Sequence, residues 1–217
     1  MCYNLALEAT RRRFQEEFGW DPDEGFSGSE RLSAFDHPRL PVLRVKEGRP
    51  SWDWASWGLV TPWQANSPHP ERKQTLNARW ETAPEKPSFK DAYANGRIAI
   101  PVTGFWEWRP RSDSTKKELV KIVSTEHAWF FLAGLASYWE VQNEWTLTVL
   151  TTRATGVVAS FHERMPLGLT QKNVEQWLLT PNRKAIEQEV NQFAQGLRLV
   201  QPSPTRGHQN EFFDDPP

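Results

Sequence analysis

The chain reads as an α+β protein, a single domain with a mainly antiparallel, barrel-like β core flanked by helices. Three observations predict it. Amphipathic periodicity is confined to the two ends, several short β-branched and aromatic runs separated by turn residues fill the middle, and no composition break divides the 217 residues into two units. A chain of this length can bury one sizeable core.

The elements follow in order. Residues from about Glu8 to Phe18 place Phe14 and Phe18 four apart among charges and end at Gly19, which predicts a helix whose Arg11, Arg12 and Arg13 form a solvated face. From Gly25 to Pro50, Gly, Ser and Pro interrupt any sustained period, so a long ordered loop is expected with a short strand around Leu40 to Val45. Ser88 is placed to cap a short helix through Phe89, Ala92 and Tyr93 that stops at Gly96. Strands are expected over Arg97 to Thr103, where Ile98, Ile100 and Val102 alternate, and over Leu119 to Val123, Trp129 to Ala136 and Trp145 to Thr151. Thr170 can cap one further helix. Pro181 opens another, whose Ile186, Val190 and Phe193 share a face before Gly196. The domain is expected to occupy residues 1–200, with a disordered tail over 201–217.

Composition excludes several classes. One cysteine permits no intramolecular disulfide, the start lacks an apolar run behind basic residues, and no stretch approaches the roughly 18 apolar residues of a membrane span, so a cytoplasmic protein without membrane contact is expected. The five histidines are scattered without ligand spacing, and neither metal nor cofactor is expected. A net charge of −1 leaves nucleic-acid binding to a local gathering of Lys and Arg. Twelve tryptophans are a high load, and each indole either packs inside, the reading for most of them, or offers a face on which a base stacks.

Chemistry concentrates at four places. Cys2 follows the initiator methionine, and removal of Met1 makes it a 1,2-aminothiol, with an amine of pKa about 7.7–8.0 and a thiol near 8.5 in peptides. Such a terminus condenses with an aldehyde to an imine, and the sulfur then closes a five-membered thiazolidine. Asn77-Ala78-Arg79, followed by Glu81, gathers an amide, a guanidinium and a carboxylate. Gly104-Phe105-Trp106-Glu107-Trp108 sets a carboxylate between two indoles that exclude water and raise its pKa toward acid-base use. Phe161-His162-Glu163-Arg164-Met165-Pro166 sets an imidazole among charges after a strand end. Taken singly, each string is also compatible with ordinary capping, solvation or packing, and an early cysteine with no role at all.

Together with Trp57-Gly58-Leu59-Val60-Thr61-Pro62-Trp63, these strings occur in an order that resembles the SRAP family, the SOS response-associated peptidases, from Cys2 to about Leu179. The resemblance implies a compact α+β domain with a barrel-like antiparallel core and a basic groove for single-stranded DNA. It also implies covalent capture of abasic sites by Cys2 through a thiazolidine, in a monomer that joins the nucleoid when bound to DNA. Carried over residue by residue, it gives Cys2, Asn77, Glu107 and His162 catalytic roles. Asn77 positions the terminus, Glu107 manages protons, and His162 assists opening of the sugar ring. Arg79, Trp63 and Arg164 become DNA contacts, Trp63 by stacking unless it packs in the core. Two departures stand out: Cys2-Tyr3-Asn4 replaces the common Cys-Gly-Arg, removing a cation at position 4, and the stretch around Phe35, Pro38 and Pro41 replaces Asn-Val-Ala-Pro. The competing readings are an N-terminal-nucleophile thiol hydrolase or autoprotease, with the amine as base, and a single-strand binder in which Cys2 is idle.

Overall fold

A computed structural model of the chain describes residues 2–24, 26–111, 115–179 and 183–200. Met1, the 201–217 tail and Pro181 lie outside the described residues. The element order is β1 (Asn4–Leu7), α1 (Arg11–Phe18), β2 (Ser29–Ser33), β3 (Arg39–Lys46), β4 (Arg49–Trp57), β5 (Asn77–Arg79), α2 (Lys90–Asn95), β6 (Arg97–Val102), β7 (Gly104–Pro110), β8 (Lys117–Ser124), β9 (Phe130–Trp139), β10 (Glu144–Arg153), β11 (Arg164–Pro166), β12 (Gly168–Leu169), α3 (Gln171–Leu179), α4 (Arg183–Gln195) and β13 (Leu197–Val200).

The strands form two sheets. One has the order β13-β8-β7-β1-β2. The other runs β11-β10-β4-β3-β6-β9-β12, and an additional β10–β9 pairing closes five of its strands into a ring. The ring is mixed, because β10 runs parallel to β4, and β5 also joins β10 in parallel. The core is therefore ring-like, and not the barrel that short strands and turns predict. Its interior is filled by Leu40, Val42, Trp57, Ile98, Ile100, Leu132, Leu147 and Val149, all buried. A second, smaller cluster forms under α1, where Phe14 packs edge-on against Phe26, Trp52 and Trp129.

Local chemistry explains most boundaries. The Thr10 hydroxyl accepts from the Arg13 N–H and starts α1, and Gly19 ends it at a φ of 64°, a conformation glycine reaches without strain. The region from Gly25 to Pro50 holds the strand expected around Leu40 to Val45 as β3, but it also holds β2 where loop is expected, and β3 pairs along its whole length with β4, a strand the sequence pattern does not announce. Pro50, Ser51 and Asp53 lower the apparent β-propensity there, while Trp52 and Trp54 on alternate positions supply the contacts that hold it. Ser88 does not cap α2: the helix begins one residue after Phe89 without a side-chain cap. The Thr170 hydroxyl does meet the Asn173 side chain at the start of α3.

Candidate active site

Two strand junctions build the site. At the first, β1 pairs antiparallel with β7, setting Asn4 against Trp106 and Leu5 against Phe105, which delivers the start of the chain to the segment carrying Glu107. Gly104 opens β7 where a Cβ would lie 2.7 Å from the Ile122 carbonyl oxygen, so only glycine lets the strand approach β8 this closely. At the second, the far end of β10 lies between two short strands. Val149 and Thr151 sit against Asn77 and Arg79 of β5, while Thr151 to Arg153 pair with Arg164 to Pro166 of β11. His162 enters just before β11.

The two junctions meet at a pair of ionisable groups. His162 Nε2 lies 3.6 Å from Glu107 Oε2. The Arg164 backbone N–H donates to His162 Nδ1 at 3.0 Å, so in the neutral ring the hydrogen sits on Nε2, facing Glu107. Burial pushes the Glu107 carboxyl up to about 7, against a backbone N–H from Trp108 that pulls the other way. Burial likewise lowers His162 from its usual value. Near neutrality Glu107 is thus close to half protonated beside a neutral imidazole, a poise suited to giving and taking protons.

The water exclusion around Glu107 has a different source from the one the sequence suggests. Neighbouring residues of a strand point to opposite faces, so Trp106 and Trp108 do not enclose the carboxylate between them. Glu107 shares its face with buried Phe105 and opposes Val120, which is fully buried on β8. Trp106 instead donates its indole N–H to the Glu30 carbonyl, and Trp108 is 40 % exposed.

Cys2 is inaccessible to solvent, and its thiol stays well above the ordinary range, first through burial and then through the nearby Glu107 carboxylate. At neutral pH the sulfur therefore carries its proton. Tyr3 lies in the same field, its phenol raised by burial, Glu107 and Cys2. Asn77 contributes an amide whose oxygen and nitrogen are both buried with no hydrogen-bond partner among the described residues, an arrangement that costs stability unless a substrate or terminus supplies one.

A cleft of about 830 Å³ opens at the β10 end, lined among others by Arg79, Glu81, Arg153, His162 and Arg164. Arg79 is exposed and has no ion-pair partner among the described residues, as is Arg153, a cation that motif reading overlooks. Its signal was the position at the end of the Trp145 run, two residues beyond the Thr151 that pairs with Arg79. Arg164 differs from both. Its guanidinium makes two 2.8 Å bonds to Glu81 and a 2.6 Å bond to the Thr151 carbonyl, so its terminal nitrogens are already committed inside the protein. Trp63 lies apart on a 3-10 turn, 64 % exposed, which removes core packing as its explanation. Among the described residues no group of three or more His, Cys, Asp or Glu could hold a metal ion.

Residues 1–203 match the family profile described as SOS response associated peptidase (SRAP). The chain belongs to the SRAP family. Its SRAP relatives include the abasic site processing protein YoqW of Bacillus subtilis, 34 % identical over 129 residues covering 58 % of this chain and 56 % of that protein. The abasic site processing protein YedK of Escherichia coli is 26 % identical over 188 residues, covering 82 % of this chain and 79 % of its own. The match thus spans little more than half the length of the Bacillus relative. A solved structure from Bacteroides thetaiotaomicron superposes with a TM-score of 0.75 at 23 % identity, covering 91 % of this chain and 90 % of that one. A phage-related protein from Bordetella bronchiseptica gives 0.67 at 16 %, covering 92 % and 93 %. At such identities these two establish a shared fold.

Proposed function

We propose that this SRAP protein captures abasic sites in single-stranded DNA by forming a thiazolidine between Cys2 and the sugar aldehyde, shielding the lesion. The observation that carries the reading is the Glu107–His162 pair, 3.6 Å apart and poised around neutrality, beside a chain start whose second residue is cysteine. The printed names of YoqW and YedK as abasic site processing proteins point the same way.

The chemistry runs in a defined order. After Met1 is removed, His162 assists proton movement at the ring oxygen so that the closed sugar opens to its aldehyde. The Cys2 amine adds to the aldehyde carbon to give a carbinolamine, and Glu107 in its acid form delivers the proton with which hydroxide leaves as water. The sulfur then adds to the resulting imine carbon, its proton passing to the imine nitrogen, and the ring closes with loss of one water overall. Amine attack comes first because burial keeps the thiol protonated. The same feature disfavours the hydrolase alternative, which needs a ready thiolate to attack an amide. Asn77 orients the terminus through its unsatisfied amide. Arg79 and Arg153 contact phosphates, and Trp63 stacks on a base. Arg164 serves the DNA from one step back, holding Glu81 and the β10 end in place. The protein acts as a cytoplasmic monomer that follows its substrate to the nucleoid.

Intact-mass measurement after incubation with abasic single-stranded DNA tests the reading. A covalent adduct lighter by one water than the sum, on protein lacking Met1, is expected; Cys2→Ala and Cys2→Ser, which keep the amine without the thiol, give no lasting adduct and only an imine trapped by borohydride. An adduct of equal yield with Cys2→Ala overturns the mechanism.

A further inference from the structure

Between the end of β4 and the start of β5 the chain makes a long excursion, and residues 58–72 of it close on themselves through one side chain. Arg72 Nε donates to the Gly58 carbonyl at 2.7 Å, and its Nη2 donates to the Trp57 carbonyl at 3.0 Å and to the Ser56 hydroxyl at 2.8 Å. The Ser56 hydroxyl in turn donates to Glu144 Oε1 at 2.8 Å, which joins the guanidinium to a carboxylate through one bridge. Arg72 therefore spends its donors on oxygens of the protein at the point where the loop leaves β4. It is a clasp, placed unlike the exposed Arg79 and Arg153.

The loop that Arg72 closes carries Trp63, and the turn bearing that indole is held at both feet. Before it, the Val60 N–H donates to Thr146 Oγ1 on β10 at 2.9 Å. After it, Trp139 at the end of β9 donates its indole N–H to the Ser67 carbonyl at 2.9 Å. Between the feet the chain bonds to itself, Gln64 N–H to the Thr61 carbonyl at 2.9 Å, the Thr61 hydroxyl to Gln64 Oε1 at 3.0 Å and Ser67 N–H to the Gln64 carbonyl at 2.8 Å. Arg72 reaches both sides of this frame, because its guanidinium also lies over the Trp139 ring, 5.6 Å from the centroid. Out of the frame stands the Trp63 ring, 64 % exposed. A closed loop whose ends meet and whose turn is tied down is ordered before any partner arrives, and what it holds out to solvent is one large aromatic face.

We infer that Arg72 is a positioning residue for single-stranded DNA: by holding residues 58–72 closed, and through Trp139 the far foot of the turn, it presents the Trp63 indole as a ready stacking face for a base of the strand. This rests on the stacking role given to Trp63 in the capture reading. A face ordered in advance spares the complex the cost of ordering a loop when the strand arrives, so more of the stacking contact appears as affinity. The role is independent of the charge on Arg72, since its bonds go to the loop and not to phosphate.

The test is a double-mutant cycle read by fluorescence anisotropy on an undamaged single-stranded oligonucleotide across a salt series, with wild type, Arg72→Lys, Trp63→Ala and the two combined. Lysine keeps the charge but lacks the planar fork that meets three oxygens at once. Arg72→Lys is expected to weaken binding about threefold, within the roughly fivefold of Trp63→Ala, with the log-log salt slope unchanged, and to cost nothing further once Trp63 is alanine. Trp139→Phe, which keeps a ring under the guanidinium and gives up the bond to Ser67, is expected to repeat that pattern; melting curves report whether each variant is folded, and Trp139→Phe carries the test if Arg72→Lys is not. Wild-type affinity in the folded variant overturns the inference. So does an equal loss in both backgrounds, which marks a general support of the fold, and so does a reduced salt slope, which marks a phosphate contact. Trp63→Ala binding as tightly as wild type sinks the stacking role itself, and the inference with it.

Discussion

Glu107 and Glu81 are the same residue type at the two junctions that form the site, and the fold tunes them in opposite directions. Glu107 faces the apolar side of β7 opposite Val120, and burial drives its carboxyl to about 7. Glu81, at the mouth of the cleft, is pulled below its usual value because the Arg164 guanidinium grips it with two bonds, outweighing its partial burial. Burial leaves one carboxylate titrating near neutrality, and ion pairing keeps the other charged. Burial disfavours the charged form of an acid, whereas a bidentate ion pair favours it and fixes a strand end and a cleft wall.

The largest effect is expected from Glu107→Gln, which removes the titrating proton while keeping the shape. The rate of adduct formation, followed on denaturing gels, is expected to fall on the order of 10²–10⁴-fold. The same substitution changes stability. Because the folded pKa of Glu107 is raised from 4.5 to about 7, the native state holds its proton more tightly and wild-type stability declines as pH rises between those values. At about 1.4 kcal/mol per pK unit, Glu107→Gln is expected to be more stable than wild type by about 3 kcal/mol above pH 7, a gap that closes below pH 4.5. Urea unfolding at pH 5 and pH 8 measures it.

Glu81 has the opposite sign. Its folded pKa is depressed, so its contribution is present above its unfolded value and is lost as the pH falls through the folded one. Breaking the pair with Arg164→Met is expected to cost about 1–2 kcal/mol at pH 7, partly because the Thr151 carbonyl loses its donor. Denaturant unfolding at pH 7 checks the value, and a variant as stable as wild type shows the anchor to be idle. The smallest expected effect is at Trp63, where 64 % exposure leaves little packing to lose. Trp63→Ala is expected to weaken single-stranded DNA binding by about 1 kcal/mol, roughly fivefold, with the melting temperature within a degree or two of wild type.

The amino-acid order by itself determined the α+β class, the end helices with the Gly19 boundary of the first, and the β6, β8, β9 and β10 segments, because apolar period and turn residues are local signals. It also determined which residue types stand ready, since Cys2, Asn77, Glu107 and His162 announce themselves as motifs. What only the tertiary structure decided depends on partners distant along the chain. β4 becomes a strand by pairing with β3 and through its indole contacts, the ring closes through a β10 that runs parallel to β4, and the poise of Glu107 comes from Val120 and the strand face, not from its neighbouring indoles. Arg164 and Arg153, set against each other across β11 and β10, part company for the same reason: Glu81, 83 residues from Arg164, reaches one of them and not the other. Charge and periodicity are carried by residues, whereas burial and pairing are carried by whatever the folded chain brings beside them.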